Sequence, residues 1–472
     1  MTQRKFGDVV VLLPGITGSV LQHDGKDVWA VSKGAALQAL LSLGNSVKSL
    51  EIKGVDDPTK PDLGDGVTAP RLIQDVHLIP GFWQIDGYTK TKQVLFDQLT
   101  LTEGKNWFDF PYDWRRDNRV AATRLAEQAP KWLDAWRADS GNADAKLVLI
   151  AHSMGGVVAR HYLEELGGWQ VTRELITYGT PYRGSLNAVD FLANGMKKGF
   201  GPFSFDLSRL LRSLTSVYQL LPVYPCVETD SGLARVSETD LPNVDRAKAA
   251  EALAFHREIE AAVTRNQDDA AYRDHGYRIN PVVGIFQPTH QSVRRDGDGI
   301  QLINGYEGED EGGDGTVPRV SATPIELSDD PREVYVTGQH AMLQNADAVL
   351  SHVVGALTRK PLDQYRATAF DGFSLDAPQL LGTGEEIRVR LSTQGPAAEV
   401  VVTLTDVDTG KVVRRRTAKA KKGGSFRSVL PPVPEGIYRL MATDPGGQLN
   451  PIGDLVTVLG PVTAERATNE RT

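Results

Sequence analysis

The sequence contains little cysteine, no long apolar run and no excess of positive charge. Its single cysteine, Cys226, excludes an intrachain disulfide and a cysteine-based metal site. No stretch approaches the roughly 18 apolar residues of a membrane-spanning helix, so we expect none. The net charge of −8 argues against nucleic acid as a partner. The apolar run at residues 9–13 is too short for a signal peptide, and we therefore expect a cytoplasmic protein.

The chain of 472 residues is longer than one compact domain needs, and its pattern changes near residue 371. Before this point, apolar runs typical of buried strands alternate with helical patterns, which indicates a parallel sheet covered on both faces. After it, apolar and polar residues alternate, and "DTGK" marks a hairpin. We predict an α/β domain over residues 1–365, an all-β sandwich of about six or seven strands over 371–461, and a flexible tail over 462–472.

Residues 186–235 interrupt the alternation of strands and helices, and we predict that they form a cap or lid. Within them, "DLSRLLRSLTSVYQLLPV" places apolar residues on one helical stripe. This stripe suits a helix that faces the core; alternatively it faces a substrate pocket, with Leu210 and Leu214 in contact with substrate. The preceding "GFGPFSF" favours a mobile apolar flap that includes Phe203. Residues 240–275 are predicted to be a helical insertion without a chemical role.

The segment "LVLIAHSMGGVVARHYLEEL" joins an apolar strand to an amphipathic helix through a serine between small residues. A sharp turn here would lift the hydroxyl of Ser153 above the sheet as a nucleophile. Small residues such as Ala151 and Gly155 are needed because strand and helix pass closely at such a turn. The N–H of Met154 then lies at the helix N-terminus, where it can stabilise an oxyanion. The alternative is a serine that caps the helix.

A serine nucleophile needs a base and an orienting acid. In the α/β-hydrolases, whose serine lies at such a turn, the order along the chain is serine, acid, histidine. His340, after "VYVTGQ", has the position expected of the base, and Asp314, within "EGGDGTVPRVSA", has that of the acid. A glycine-flanked aspartate also suits a plain turn, and Asp310 and Glu311 are nearby rivals. The Pro-Gly turn of "LLPGITGS" either directs the N–H of Ile16 into the site as an oxyanion donor or is an ordinary turn. The other histidines after the serine have weaker positions: His161, His256, His275, His290 and His352.

Seven stretches, in this order, make the chain resemble the lecithin:cholesterol acyltransferase family of α/β-hydrolases. They are "VLLPGITGSVL", "FPYDWR", "AHSMGG", "TYGTPYRGS", "LLPV", "GDGTVP" and "GQHAMLQN", and they span about residues 10–355. The resemblance implies a lid and a set of site residues: the triad Ser153, Asp314 and His340, the oxyanion donors Ile16 and Met154, and an acyl-lipid region around Trp29. Secreted members carry disulfides and a signal peptide. We therefore expect a bacterial-type, intracellular relative with an added C-terminal β-domain.

These observations predict a serine-dependent acyl-ester hydrolase or acyltransferase that acts on a lipid, as a phospholipase or lipase does, without a metal or organic cofactor. Two other functions stay open. One is a soluble carboxylesterase for small esters, and the other is a partner-regulated effector whose β-domain binds a protein. The basic run "KVVRRRTAKAKK" suits either a solvated strand face or peripheral contact with an anionic membrane.

Overall fold

The structure is a computed structural model that describes residues 3–30, 47–73, 87–200, 203–327, 334–358, 372–393, 395, 397–420 and 424–459. Within these ranges, the side chains of residues 47, 48, 198–200 and 203–205 are not described. The predicted tail over 462–472 and the side chain of Phe203 therefore lie outside the described residues.

A parallel sheet built from buried apolar strands forms the centre of the α/β domain. The described strands of this domain are β1 (Val9–Leu13), β2 (Leu21–His23), β3 (Lys26–Trp29), β4 (Val67–Thr68), β5 (Trp107–Asp109), β6 (Leu147–His152), β7 (Thr172–Tyr178), β8 (Lys197–Phe200), β9 (Phe203–Asp206), β10 (Val227–Thr229), β11 (Gly232–Ala234), β12 (Arg278–Ile285), β13 (Ser292–Asp296), β14 (Gly299–Ile303) and β15 (Val334–Thr337). Six of them form the central sheet in the order β15-β12-β7-β6-β1-β5, and all neighbouring pairs are parallel. Smaller sheets of the order β11-β10-β13-β14 and β3-β2-β4 lie outside it.

Both faces of the central sheet are covered, as alternate residues of β1 demonstrate. Val9, Val11 and Leu13 belong to one hydrophobic cluster, whereas Val10 and Leu12 belong to another. Because side chains alternate across a strand, these two clusters lie on opposite faces of the sheet. Every residue of β1 is consequently buried. Together with the parallel strand order, this arrangement confirms the predicted α/β-hydrolase type of fold.

Helices connect the strands and form the cap region. They are α1 (Thr89–Gln98), α2 (Asn118–Ser140), α3 (Met154–Glu164), α4 (Leu186–Ala193), α5 (Ser208–Ser213), α6 (Thr215–Tyr218), α7 (Arg246–Gln267), α8 (Ala270–His275) and α9 (Asp347–Leu357). Short 3-10 helices lie at Val47–Leu50, Gly168–Gln170, Val236–Glu238, Arg319–Ser321, Ile325–Leu327 and His340–Asn345. Among the described residues, no helix combines the length and the apolar character needed to cross a membrane.

The cap region departs from the single helical stripe expected over residues 207–221. It contains two short helices, α5 and α6, because Leu214 between them has extended backbone angles, φ −83° and ψ 121°. The hydroxyl of Ser213 donates to the carbonyl of Leu210 and accepts from the N–H of Ile52. Such side-chain hydrogen bonds compete with the helical ones, which gives a physical reason for the break. Upstream of α5, β8 and β9 pair antiparallel.

The predicted helical insertion over residues 240–275 contains α7 and α8. Helix α7 starts at Asp245, whose side chain accepts from the N–H groups of Ala247 and Lys248. It buries one face, and on that face Phe255 stacks on His161 of α3 with the ring centroids 5.5 Å apart. The segment thus packs directly on α3, the helix that follows Ser153.

The C-terminal domain is a two-sheet β structure. Its described strands are β16 (Phe373–Asp376), β17 (Leu380–Gly382), β18 (Ile387–Thr393), β19 (Glu399–Asp406), β20 (Val412–Lys419), β21 (Ser425–Leu430), β22 (Gly436–Thr443) and β23 (Ile452–Leu459). They form sheets of the order β16-β18-β21 and β17-β23-β22-β19-β20, and both sheets contribute residues to one core, such as Phe426 and Leu440. The eight described strands exceed the six or seven predicted, because β17 has three residues and pairs parallel with β23. Sequence alternation does not reveal so short a strand.

The basic run lies on β20, at an edge of the five-stranded sheet. Arg414 and Arg416 donate to the carbonyl oxygens of Pro432 and Val429, and both Arg415 and Arg416 are exposed. Two of the arginines therefore attach β20 to β21 and to the residues that follow it. Peripheral membrane contact of the basic run stays a prediction.

The motif "PYDWR" has a structural role. The buried guanidinium of Arg115 is 2.6 Å from a carboxylate oxygen of Asp113 and 2.9 Å from one of Asp65. It also donates to the carbonyl of Leu50. One arginine thus attaches the loop after β5 to the segment that precedes β4.

Asp454 is a buried carboxyl on β23 of the β-domain. Burial raises its pKa to about 6, although the N–H of Leu455 donates to it. Since this pKa is higher in the folded than in the unfolded state, the group favours folding at low pH, and this contribution is lost as the pH rises through about 6.

We expect Asp454→Asn to raise the free energy of unfolding at pH 8 by about 1–3 kcal/mol and to change it little at pH 4, because an amide has no charge to bury. Urea unfolding at both pH values measures the difference. Asp444→Asn is a control for which we expect the opposite change in stability. Backbone N–H groups, first that of Gly446, lower the pKa of Asp444, so loss of this carboxylate should destabilise the fold at pH 8. Equal stability of Asp454→Asn and the native chain at pH 8 would contradict the prediction.

Candidate active site

Ser153 occupies a strained turn between β6 and α3. Its backbone angles are φ 51° and ψ −125°, in a region that side chains other than glycine rarely adopt. Its N–H donates to the carbonyl of Tyr178 at 2.9 Å, and its carbonyl accepts from the hydroxyl of Thr180 at 3.0 Å. A Cβ on Gly155 would lie 2.5 Å from the carbonyl oxygen of Pro14, so only glycine lets the helix start this close to β1. The turn is a nucleophile elbow.

The structure brings the three predicted polar side chains into one chain of hydrogen bonds. The Ser153 Oγ and His340 Nε2 atoms are 3.1 Å apart, and His340 Nδ1 is 2.7 Å from Asp314 Oδ2. All three residues are at most 5% exposed. Because a carboxylate accepts only, Nδ1 carries the hydrogen and Nε2 faces the serine hydroxyl as an acceptor. This is the geometry in which a histidine can take the proton of a serine.

Asp314 is held by its own turn. Its second carboxylate oxygen accepts from the backbone N–H groups of Thr316 at 2.9 Å and Val317 at 2.7 Å. The rival acids have other partners: Asp310 accepts from the side chain of Gln291, and Glu311 lies 3.7 Å from Arg319. The carboxylate of Asp314 is therefore oriented by backbone groups on one side, which leaves the other oxygen for the imidazole.

The other histidines considered from the sequence do not approach Ser153 in hydrogen-bond distance in the described part of the chain. His161 stacks on Phe255, and Nε2 of His256 is 2.8 Å from the carbonyl of Gln219. Both rings are buried, and burial lowers the pKa of each. These two histidines thus belong to the packing between α3, α6 and α7.

Of the two predicted oxyanion donors, Met154 directly follows Ser153, and Ile16 directly follows Gly15, where a Cβ would lie 2.9 Å from the Cβ of Ser153. The described residues offer no hydrogen-bond acceptor to the backbone N–H of Ile16 or of Met154. Ile16 lies in a turn closed by the N–H of Gly18 and the carbonyl of Gly15 at 3.0 Å. Thr17 has φ 64° there, which is strained for a β-branched residue. Strain of this kind concentrates at functional sites, and here it orients the turn beside Ser153.

A buried network that the sequence motifs did not predict joins this turn to the base. The N–H of Gly15 donates to the hydroxyl of Tyr88 at 3.0 Å, and this hydroxyl is 3.1 Å from Nδ1 of His152. Nε2 of His152 lies 3.3 Å from the carbonyl oxygen of His340. A carbonyl only accepts, so Nε2 carries the hydrogen and Tyr88 donates to Nδ1. Burial, aided by the nearby His340, lowers the pKa of His152 to about 3, so its ring is neutral.

One part of this network had a signal in the sequence. His152 precedes Ser153 directly, so a polar ring beside the nucleophile was visible. Tyr88 had none, because it lies 73 residues from Gly15 and precedes an ordinary helix. Its hydroxyl is fully buried, and burial raises its pKa well above the usual range, so it stays protonated.

Three of the four predicted apolar substrate contacts, Trp29, Leu210 and Leu214, lie in the hydrophobic core. Leu210 and Leu214 are 5% and 0% exposed and belong to the largest cluster of the α/β domain. Trp29 belongs to the same cluster, packs against Trp114 with the ring centroids 4.8 Å apart, and donates its indole N–H to the carbonyl of Thr17. Trp29 thereby supports the strained turn next to Ile16. Contact of these side chains with a substrate stays a prediction.

Within the described ranges, no group of three or more histidine, cysteine, aspartate or glutamate residues is arranged to hold a metal ion. The free thiol of Cys226 is buried, and burial raises its pKa to about 12.

The fold and the geometry of the site define the class of protein. A serine at an elbow of a parallel sheet, hydrogen-bonded through a histidine to an aspartate on the neighbouring loop, is the arrangement of the α/β-hydrolases. The sequence profile described as "Lecithin:cholesterol acyltransferase" matches residues 85–268. "Lecithin-cholesterol acyltransferase-like 4" of Arabidopsis thaliana is 30% identical over 129 residues, which are 25% of this chain and 23% of that protein. Residues 85–268 thus match the lecithin:cholesterol acyltransferase family, in agreement with the motifs, and the chain spans about a quarter of the length of the relative that it matches.

Solved structures that are similar to the chain have low identity and low TM-scores. The mature form of the lipase BlEst2 from Bacillus licheniformis is 13% identical, covers 75% of this chain and 94% of its own, and has a TM-score of 0.31. Its propeptide form is 11% identical, covers 95% and 92%, and has the same TM-score of 0.31. CopC from Methylosinus trichosporium OB3b is 19% identical over 20% of this chain and 97% of its own, with a TM-score of 0.17.

We expect Tyr88→Phe to lower the free energy of unfolding by about 1–3 kcal/mol, because it leaves the N–H of Gly15 and Nδ1 of His152 buried without a partner. Thermal and urea unfolding measure the loss. Tyr178→Phe is the matched control, since the hydroxyl of Tyr178 is also buried but has no partner among the described residues. If Tyr88→Phe and Tyr178→Phe have the same free energy of unfolding, the hydrogen bonds of the Tyr88 hydroxyl have no role in stability.

Proposed function

We propose that the chain is a serine-dependent acyl-ester hydrolase or acyltransferase that acts on lipid esters through an acyl-serine intermediate. The observation that carries this proposal is the hydrogen-bonded series Ser153, His340 and Asp314 at the elbow, with distances of 3.1 and 2.7 Å. A serine hydroxyl is a weak nucleophile, and this arrangement supplies the base and the orienting acid that it needs.

In the acylation step, His340 Nε2 accepts the hydroxyl proton of Ser153 while Oγ attacks the ester carbonyl. The carboxylate of Asp314 stabilises the imidazolium that forms. The oxyanion of the tetrahedral intermediate accepts from the free N–H groups of Ile16 and Met154, and the second of these lies at the N-terminus of α3, whose dipole adds to the stabilisation. The intermediate then releases the alcohol, which takes the proton from His340, and the acyl group stays on Ser153.

In the deacylation step, water or the hydroxyl of an acceptor gives its proton to His340 and attacks the acyl-serine. The same oxyanion donors act again, and collapse of the second tetrahedral intermediate returns the proton to Ser153 Oγ. The neighbouring ring of His152 does not compete for the proton, because its burial keeps it neutral. Every proton of the cycle thus passes through His340.

The similarity of residues 85–268 to the lecithin:cholesterol acyltransferase family supports a lipid ester as the substrate class. The matched residues 85–268 include the elbow and the cap helices α4, α5 and α6.

We expect Ser153→Ala to abolish hydrolysis of a long-chain p-nitrophenyl ester and labelling by a fluorophosphonate probe, because both reactions need the Oγ nucleophile. Melting temperature should stay close to that of the native chain, which excludes unfolding as the cause. Labelling of a different serine in the Ser153→Ala chain would refute the assignment.

We expect Asp314→Asn and His340→Ala each to lower kcat by about 10²- to 10⁴-fold, and the double variant to be no slower than the worse single one, because the residues act as one unit. Steady-state kinetics with the same ester measures this. Asp310→Asn is the control for a nearby acid outside the hydrogen-bond series, and its kcat should stay close to the native value. A double variant whose loss of kcat equals the product of the two single losses would contradict the assigned roles.

A further inference from the structure

Strand β16 of the C-terminal β-domain contacts two glutamines of the α/β domain, one on the loop after β12 and one on the loop that carries His340. Strand β16 is an edge strand of its sheet and pairs with β18 on one side only. On its other side, the N–H of Leu375 donates to Gln287 Oε1 at 3.2 Å, and Gln287 Nε2 donates to the carbonyl of Phe373 at 3.3 Å. The side chain of Gln339 donates to the carbonyl of Leu375 at 3.1 Å. Two glutamines of the α/β domain therefore pair with an edge strand that would otherwise expose unpaired backbone groups.

The same two glutamines are joined to each other and stand next to the catalytic side chains. Gln339 Nε2 also donates to Gln287 Oε1 at 3.1 Å. Gln339 immediately precedes His340, whose N–H donates to the carbonyl of Asp314 at 2.8 Å. The backbone N–H of Gln287 donates to the carbonyl of Gly313, the residue before Asp314, at 3.0 Å. Gln339 is thus adjacent to His340 in the chain, and Gln287 is joined by a backbone hydrogen bond to Gly313, the neighbour of Asp314.

The packing around this contact leaves little freedom. Gln287 is 1% exposed. A Cβ on Gly315, the residue after Asp314, would lie 2.5 Å from Oε1 of Gln339, so the acid turn passes against this side chain. A buried amide whose donors and acceptors are all paired has one preferred orientation, and changing it leaves buried polar groups without partners.

We propose that the C-terminal β-domain is a positioning element of the active site: through Gln287 and Gln339, strand β16 holds the loops of Asp314 and His340 at their hydrogen-bond distance. The two glutamines are positioning residues, since they act through Asp314 and His340 and not on the substrate. This role rests on the proposed function. It also explains why an added module lies beside a triad whose residues all come from the α/β domain.

The test uses Gln287→Met and Gln339→Met in the full chain, because methionine keeps the length of the side chain and removes its hydrogen bonds. The rate of fluorophosphonate labelling at Ser153 is measured together with kcat and KM for a p-nitrophenyl ester. We expect each variant to lower kcat and the labelling rate about ten-fold and to change KM less than about two-fold, because a small displacement of the base acts on chemistry rather than on binding. The double variant should lose less than the product of the single losses, because one contact is broken in both.

Gln301→Met is the matched control, since Gln301 lies on β14, is exposed and bonds to Arg294. Circular dichroism at the assay temperature establishes that each variant is folded, and the less buried Gln339 keeps the test valid if Gln287→Met does not fold. Native kcat and labelling rates in folded Gln339→Met, or an equal loss in Gln301→Met, would overturn the positioning role. A native chain that is not labelled at Ser153 would instead refute the proposed function itself.

Discussion

The site depends on one close approach, that of the elbow between β6 and α3 to the end of β1. Gly155 brings the start of α3 against the carbonyl groups of Leu13 and Pro14, where a Cβ would collide. This packing keeps Ser153 at φ 51°, a conformation that costs about 1–3 kcal/mol and persists only where the surroundings enforce it. The strained turn directs the hydroxyl to His340 and leaves the N–H of Met154 without an acceptor among the described residues. A relaxed turn would lose both features at once.

Two hydrogen-bond networks surround this turn and have different physical characters. The inner one, from Gly15 through Tyr88 and His152 to the carbonyl of His340, is buried and neutral. Neutrality matters because a second charge beside the imidazolium of His340 would raise the energy of the step in which that charge forms. The outer network, through Gln287 and Gln339, consists of amides paired with a strand edge. Both networks end at the backbone of the residues that carry the triad, so each constrains position and leaves the reacting atoms to the triad itself.

The sequence predicted much of the fold, and the errors have local causes. Continuous apolar runs such as those of β1 and β6 indicated parallel buried strands, because hydrophobic periodicity is a short-range property. The cap region was predicted as one stripe, whereas Leu214 is extended. The reason is a contact of Ser213 with the distant Ile52 that no local pattern contains. In the β-domain, the three-residue β17 was missed because its pairing with β23 is parallel and long-range.

The sequence alone determined the chemistry that was available: a serine between small residues, a histidine after a late strand, and an aspartate among glycines. These are local requirements of a sharp turn and of loops at strand ends, so they are visible in the order of residues. Only the tertiary structure decided which groups meet, since Ser153 and His340 are 187 positions apart along the chain. It also decided the parts that had no local signal, the hydroxyl of Tyr88 and the paired amides of Gln287 and Gln339. Hydrogen bonds of that kind need a precise orientation between distant segments, and that orientation exists only once the sheet and the β-domain have packed.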